Sequence, residues 1–232
     1  MATFADKVIN FFRDLEFTGS LPAGISVMNP MKENESVFEA ASQFYRQYYS
    51  DNNSRRIILG INPGRFGAGA TGIPFTDTVR MKEKCGLTPA GIKTYETSSV
   101  FIYEMIDKYG GTYKFYGDYY ISSVSPLGFT KTGPGGRALN YNYYDSRELT
   151  DAVYIFAVDT IKRQLEFGIN RETAFCLGSG KNFRFLSKLN EEYRFFERII
   201  PLEHPRFIMQ YRAKQKETFI QIYIDTLRTD KS

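Results

Sequence analysis

The chain has 232 residues, 42% hydrophobic and 24% charged, a balance typical of a folded globular protein, and it is expected to form one domain over residues 1–232. Its two cysteines, Cys85 and Cys176, are far apart and have no neighbouring histidine, which excludes a disulfide framework, a zinc ribbon and an iron–sulfur site. Thirty Lys and Arg against 26 Asp and Glu give a formal charge of +4, which permits a polyanionic partner without requiring one.

Charged side chains interrupt the apolar residues at the start of the chain, so we expect no signal peptide. No stretch is long and apolar enough to predict a membrane span. Together with the low cysteine content, these features favour a cytoplasmic protein. We expect no metal, no cofactor, no membrane contact and no obligate protein partner.

The N-terminal part of the chain is predicted to form two helices and a strand. Apolar residues recur at helical spacing from Phe4 to Leu15 and again after Ser36, which is expected to cap the second helix. The short apolar run at residues 57–61 is typical of a buried strand, and Asn-Pro-Gly at residues 62–64 ends it.

The middle of the chain combines a helix, a strand and a long polar segment. We predict a helix from Ser98 or Ser99 to Lys108 and a strand from Tyr119 to Val124. The segment from residue 128 to residue 145, rich in Gly, Asn and Tyr, predicts a long loop, and loops of this length are often functional or disordered.

The C-terminal part continues the alternation. Asp145 and Glu148 resemble a capping box that opens a helix, and a strand is predicted at residues 173–177. A further helix, a strand and a last helix follow, over residues 182–189, residues 198–202 and the segment of Phe219, Ile220, Tyr223, Ile224 and Leu227.

This alternation of strands and helices predicts an α/β fold. We expect a three-layer α/β/α sandwich with a mostly parallel central sheet of four strands. Because ligands bind at the carboxyl ends of parallel strands, the residues at those ends are candidates for a site. Asn62, Ser123 and His204 hold such positions.

Two glycine motifs mimic nucleotide-binding loops. Residues 67–72 match G-x-G-x-x-G after a strand, but Pro74 follows too closely for the last glycine to lie in the first turn of a helix. Residues 178–181 mimic a P-loop, yet Phe175 replaces its first glycine and Asn182 replaces the Ser or Thr that would hold magnesium. Both stretches are better interpreted as ordinary turns.

Taken one at a time, the candidate residues have structural explanations too. His204 is the only histidine, and a single histidine is commonly structural, although Pro205 after it predicts a loop of the kind found at active sites. Asn62 could simply form a turn with Pro63 and Gly64. Neither residue alone decides the function.

A longer stretch is more specific. Leu59 to Phe75 reads LGINPGRFGAGATGIPF and resembles the first motif of the single-strand-selective monofunctional uracil-DNA glycosylases, in particular their bacterial branch. Further segments agree with this family in the same order: Glu96-Thr97-Ser98, Ser125-Pro126-Leu127-Gly128-Phe129, Gly136-Arg137-Ala138-Leu139 and His204-Pro205. The resemblance covers residues 59 to 206 and implies an enzyme that flips uracil out of DNA and hydrolyses its bond to the sugar, leaving an abasic site.

The resemblance also implies roles for particular residues. Asn62 would position the attacking water, His204 would donate a hydrogen bond to the departing base, and Phe75 would stack on it. The expected base-binding set is Ile61, Gly64, Phe66, Ala68, Phe75 and Ser123. Arg206 and Phe207 are the candidates for a wedge in the DNA, and Arg137, Arg206, Arg212, Lys214 and Lys216 are the candidate DNA or phosphate contacts.

One departure from the family bears on the substrate. Ser123 stands where relatives carry an Asn that both donates to and accepts from uracil, and a hydroxyl can do less. Its smaller volume would admit a larger deaminated base such as xanthine. The expected partner is uracil-containing DNA, single- or double-stranded. A nucleotide- or nucleic-acid-binding module of the same fold without glycosylase activity is the alternative.

Overall fold

The computed structural model describes residues 1–88, 91 and 93–229. Its strands are β1 (Ile25–Met28), β2 (Arg55–Gly60), β3 (Tyr119–Ser123), β4 (Gly128–Thr132), β5 (Ala138–Tyr141), β6 (Ile169–Leu177) and β7 (Arg198–Leu202). Its helices are α1 (Phe4–Arg13), α2 (Pro30–Glu33), α3 (Glu35–Tyr49), α4 (Ala68–Thr71), α5 (Thr78–Cys85), α6 (Thr97–Tyr109), α7 (Thr112–Asp118), α8 (Arg147–Leu165), α9 (Lys181–Tyr193), α10 (Pro205–Tyr211) and α11 (Lys216–Thr229).

The central sheet has four parallel strands in the order β3-β2-β6-β7. The runs that predicted β2, β3 and β6 are buried because helices cover the sheet, as is usual for parallel strands, whereas the edge strand β7 is partly exposed. The predicted α/β fold and its four-stranded sheet are confirmed. All four strands are parallel, so their carboxyl ends meet at one edge of the sheet.

Helices flank this sheet. On the N-terminal side of the chain α1 contacts α3, and α3 contacts α7, which also contacts β2 and β3. Later in the chain α8 and α9 contact β6, while α6 contacts both α10 and α11. None of the helices in the described ranges could span a lipid bilayer.

A second, antiparallel sheet was not predicted from the sequence. It contains β1, β4 and β5 in the order β1-β4-β5. The segment predicted as one long loop, residues 128–145, therefore contains two of its strands. Gly133 to Gly136 turn the chain between them, with Gly135 and Gly136 at φ of +68° and +76°.

Several helix ends differ from the prediction by one or two residues. Helix α3 is capped by Asn34, whose side chain accepts from two backbone N–H groups, and the predicted cap Ser36 lies inside the helix. Helix α8 is capped by Ser146, so the predicted capping box at Asp145 is wrong. Pro205 begins α10, where the sequence had predicted a loop, because a proline is tolerated in the first turn of a helix.

The glycine motif at residues 67–72 surrounds a single helical turn. Gly72 ends α4 in the left-handed region at φ +71°, and the chain then turns away at Pro74. A dinucleotide site needs a glycine at the beginning of a helix that continues, so this geometry agrees with the interpretation as a turn. Gly178 to Gly180 likewise connect β6 to α9.

Many of the aromatic residues lie in the interior. They surround Arg55 at the start of β2, which is 1% exposed. Its guanidinium carbon lies 4.9 Å from the centre of the Phe4 ring and 4.8 Å from that of Tyr49. The same group donates to both carboxylate oxygens of Asp51, at 2.8 and 2.9 Å. The buried charge is therefore paired and holds the amino end of β2 in place.

Candidate active site

A cleft of about 460 Å³ opens at the carboxyl edge of the central sheet. Nine of the fourteen residues predicted for the site or its DNA contacts line it: Ile61, Asn62, Gly64, Ala68, Phe75, Ser123, His204, Arg206 and Phe207. The sheet explains this convergence, since the loops after β2, β3 and β7 all begin at this edge.

Five predicted residues lie outside the cleft lining: Phe66, Arg137, Arg212, Lys214 and Lys216. The ring of Phe66 is exposed and faces the guanidinium of Arg65, whose carbon lies 5.4 Å from the ring centre. Arg137 and Arg212 are exposed, before β5 and after α10 respectively. Lys216, predicted as a phosphate contact, is paired with Glu104 at 2.5 Å.

Asn62 follows β2, and the protein fixes its side-chain amide. The Nδ2 group donates to the carbonyls of Pro63 and Tyr141, each at 3.3 Å. Oδ1 accepts the backbone N–H of Tyr143 at 3.1 Å. These partners determine which end of the amide is the oxygen, and Oδ1 keeps a second lone pair for a ligand. An amide can orient a water molecule but is too weak a base to remove a proton from it.

His204 follows β7 and is the N-cap of α10. Its Nδ1 accepts the backbone N–H of Arg206 at 3.1 Å. Burial, assisted by the positive charge of Arg206, lowers the pKa of the imidazole to about 4. At neutral pH the ring is therefore uncharged, and because Nδ1 is an acceptor, the proton lies on Nε2. The cleft thus receives a neutral N–H donor of fixed tautomer.

Phe75 presents a ring beside this donor. The centroids of the Phe75 and His204 rings lie 5.6 Å apart. The backbone of Phe75 is in the left-handed region at φ +51°, which is costly for a residue with a side chain and is most often found at functional sites. Gly60 makes room for the ring, since a Cβ there would lie 3.0 Å from it.

Ser123 ends β3 at the same edge and is 7% exposed. Among the residues that the structure describes, none forms a hydrogen bond with its hydroxyl. A hydroxyl can both donate and accept, so Ser123 can hydrogen-bond a ligand in the cleft in either sense.

Glu96 is a cleft residue whose importance the sequence did not reveal. It precedes α6, and its carboxylate makes no cap to that helix. The side chain occupies the space beside the glycine loop: a Cβ on Gly64 would lie 3.3 Å from its Oε1, and one on Gly67 would overlap its Oε2. Burial, followed by the nearby charge of Asp77, raises the pKa of Glu96 to about 7. A lone Glu before a helix is common, so only its place in the Glu96-Thr97-Ser98 segment was a signal.

An aromatic pair forms one rim of the cleft. Phe207 and Tyr211, one turn apart on α10, are 40% and 63% exposed and their ring centroids lie 5.4 Å apart. Arg206 is exposed on the same helix. Ile208, the next residue along the helix, is fully buried and belongs to the core, whereas Phe207 does not. The remaining unpredicted lining residues include Asn140, Asn142, Gln210 and Tyr211.

Metal-binding groups are not clustered in this region. Across residues 1–88, 91 and 93–229, no group of three or more His, Cys, Asp or Glu side chains could hold a metal ion. Both cysteines are buried and unpaired.

The chain is similar to known proteins in both sequence and structure. Residues 46–228 match the family model described as the uracil DNA glycosylase superfamily. The crystal structure of wild-type SMUG2 from Pedobacter heparinus is similar to this chain, with 54% sequence identity, a TM-score of 0.96, and coverage of 99% of this chain and 98% of that one. No curated protein matches the chain at a significant level.

Proposed function

Because the chain belongs to the uracil DNA glycosylase superfamily, we propose that its cleft excises uracil from DNA with Asn62 and His204 as the catalytic residues. The protein is a monofunctional uracil-DNA glycosylase, which breaks the bond between the sugar C1′ and the base N1. The electron pair of that bond leaves with uracil, and water adds to C1′. The observation that carries the residue assignment is a neutral imidazole donor of fixed tautomer in the same cleft as a fixed carboxamide.

His204 stabilises the leaving group. Negative charge develops on the oxygens of the departing base, and a donor already in place lowers the barrier without reorganising. With its pKa near 4, the imidazole cannot supply a proton at neutral pH. It acts through the Nε2–H hydrogen bond, which strengthens as the charge grows.

Asn62 positions the water. Its Oδ1 retains one lone pair after accepting from Tyr143, and a water bound there is held for attack at C1′. Since the amide does not remove the proton in advance, the rate depends on orientation and on the electrostatic help given to the base. The proton is released once the new bond forms and ends on the uracil anion or in solvent.

The flipped base lies against Phe75, beside Ser123 and Gly64. Ring stacking on Phe75 replaces part of the stacking lost from the DNA. The Ser123 hydroxyl faces the base edge with fewer hydrogen bonds than an amide would offer, and its small volume leaves room for xanthine as a second substrate.

The rim of α10 meets the DNA around the flipped nucleotide. Phe207 and Arg206 are the wedge candidates, and Tyr211 extends the apolar surface. Such stacking surfaces suit single strands as well as duplexes. Arg137 and Arg212 lie outside the cleft and contribute phosphate contacts.

A single-turnover assay tests the proposal. A labelled oligonucleotide with one uracil is incubated with the protein in EDTA and then treated with alkali, which cuts the strand at abasic sites. We expect excision by the wild type, and losses on the order of 100-fold or more for His204→Ala, with gel-shift affinity for the oligonucleotide nearly unchanged. Asn62→Ala should bind equally well and also slow excision.

Two results would contradict the residue roles. If His204→Ala excises uracil at the wild-type rate, the donor assignment is wrong, because the chain has no second histidine. A covalent adduct trapped by borohydride would indicate an amine nucleophile in place of the water held by Asn62.

A further inference from the structure

The side chain of Asn182 lies behind the cleft and does not line it. It is 1% exposed and stands at the second position of α9, the position at which a P-loop would carry Ser or Thr. Its Nδ2 group lies 3.0 Å from the carbonyl oxygen of Leu177 and 3.3 Å from that of Gly60. Asn182 therefore contacts the carboxyl ends of two adjacent strands, β6 and β2.

Tyr143 connects this residue to the cleft. Its side chain is fully buried, and its hydroxyl donates to Oδ1 of Asn182 at 2.7 Å. The backbone N–H of the same Tyr143 donates to Oδ1 of Asn62 at 3.1 Å. The contacts close a ring, because Gly60, bound by Asn182, is only two residues before Asn62.

We propose that Tyr143 and Asn182 are positioning residues that hold the Asn62 carboxamide in its reactive orientation. This proposal rests on the proposed role of Asn62 in positioning water. Neither residue touches substrate: Asn182 fixes the strand end before Asn62 and the hydroxyl of Tyr143, and Tyr143 presents its N–H to Asn62.

Burial explains why the ring of contacts is effective. A hydrogen bond between two side chains excluded from water is stronger than an exposed one, and removing one partner leaves the other unsatisfied. Without the Tyr143 hydroxyl, Asn182 Oδ1 loses its partner and the loop from Tyr141 to Tyr143 loses its anchor at the end of the sheet. The Asn62 amide contacts this loop through both of its polar atoms, so a small shift of the loop displaces the water.

The test uses Tyr143→Phe, which removes one oxygen and keeps the ring. We expect the single-turnover excision rate at saturating enzyme to fall about tenfold, with the affinity for uracil-containing oligonucleotide unchanged. In the Asn62→Ala background, Tyr143→Phe should have no further effect on the rate, because it acts through the side chain already removed.

Tyr49→Phe is the matched control. Tyr49 is also fully buried, and its hydroxyl donates to the carbonyl of Tyr119 at 3.1 Å, at the opposite end of the central sheet. We expect this variant to lower the melting temperature by a similar amount while it leaves the excision rate unchanged. If Tyr143→Phe does not fold, as judged by circular dichroism, Asn182→Ala replaces it with the same expectations.

The outcomes separate this proposal from the proposed function. Excision at the wild-type rate by folded Tyr143→Phe, or an equal loss in the Asn62→Ala background, would overturn the positioning role and leave the function intact. A wild-type rate for Asn62→Ala itself would overturn the role of Asn62 on which the proposal rests. A rate loss in Tyr49→Phe equal to that in Tyr143→Phe would show that the loss reflects lower stability in general, and this too would overturn the positioning role.

Discussion

His204 should remain uncharged in the folded protein down to pH 5, and this can be measured directly. The chain has one histidine, so the imidazole C–H signals of tag-free protein in a proton NMR titration all belong to His204. With the folded pKa at about 4, roughly 1% of the rings are protonated at pH 6, against about three quarters for an unperturbed imidazole. We expect the midpoint of the titration to lie well below pH 5.

The same shift makes folding stability depend on pH. The unfolded chain binds a proton at its histidine below about pH 6.5, whereas the folded chain does so only near pH 4. The contribution of neutral His204 to the free energy of unfolding is therefore fully present above pH 6.5 and is lost as the pH falls toward 4. The full loss is about 3 kcal/mol, from 1.36 kcal/mol per pKa unit.

Urea unfolding at pH 7 and at pH 4.5 checks this magnitude. We expect wild type to lose more free energy of unfolding than His204→Gln between these pH values, by about 2 kcal/mol, because the variant has no imidazole to protonate. An NMR midpoint near pH 6.5 would refute the reasoning. The ring would then be largely exposed to water, and a charged imidazole could act as an acid near neutral pH.

Two further substitutions test the cleft. Glu96 has a pKa of about 7 in the folded protein, so wild type loses stability as the pH rises from about 4.5 to 7. Glu96→Gln should therefore be more stable than wild type at pH 8, by about 2 kcal/mol once the partial exposure of Glu96 is taken into account. At pH 4.5 the two proteins should be equally stable. Equal melting temperatures at both pH values would contradict this. Ser123→Asn should raise the ratio of uracil to xanthine excision rates, since an amide matches the uracil edge and fills the pocket; an unchanged ratio on single-lesion oligonucleotides would exclude Ser123 as the residue that sets base preference.

The central sheet was predictable because the sequence patterns that indicate its strands lie within short segments of the chain. The run at residues 57–61 is continuously apolar and ends at Asn-Pro-Gly, which is sufficient to indicate a buried strand and its end. The small sheet carries no such signal. Strands β4 and β5 are partly exposed and rich in polar residues and Gly, and only pairing with β1, about 100 residues earlier, makes β4 a strand between two neighbours. That the chain is a single domain stays a prediction, supported by one continuous core of buried residues.

The cleft residues also fall into a group that the sequence predicts and a group that it does not. Asn62, Ser123 and His204 were identified because they lie at the carboxyl ends of predicted strands, and Asn62 and His204 also match motifs of the family. Tyr143 and Asn182 were missed as partners because their bonds join positions 39 and 81 residues apart along the chain, which no spacing rule describes. For Glu96 the sequence gives the carboxylate but not its burial beside a glycine loop, and burial is what shifts its pKa.

The backbone angle at Phe75 implies a conflict between activity and stability. A residue with a side chain in the left-handed region costs on the order of 1 kcal/mol or more, and Gly60 must lack a side chain to accommodate the ring. The fold thus tolerates a strained turn so that an aromatic face is ready before DNA arrives. Substitutions at position 75 that relax the turn, such as Asn, should separate the two properties, because they relieve the backbone while they remove the surface on which the base stacks.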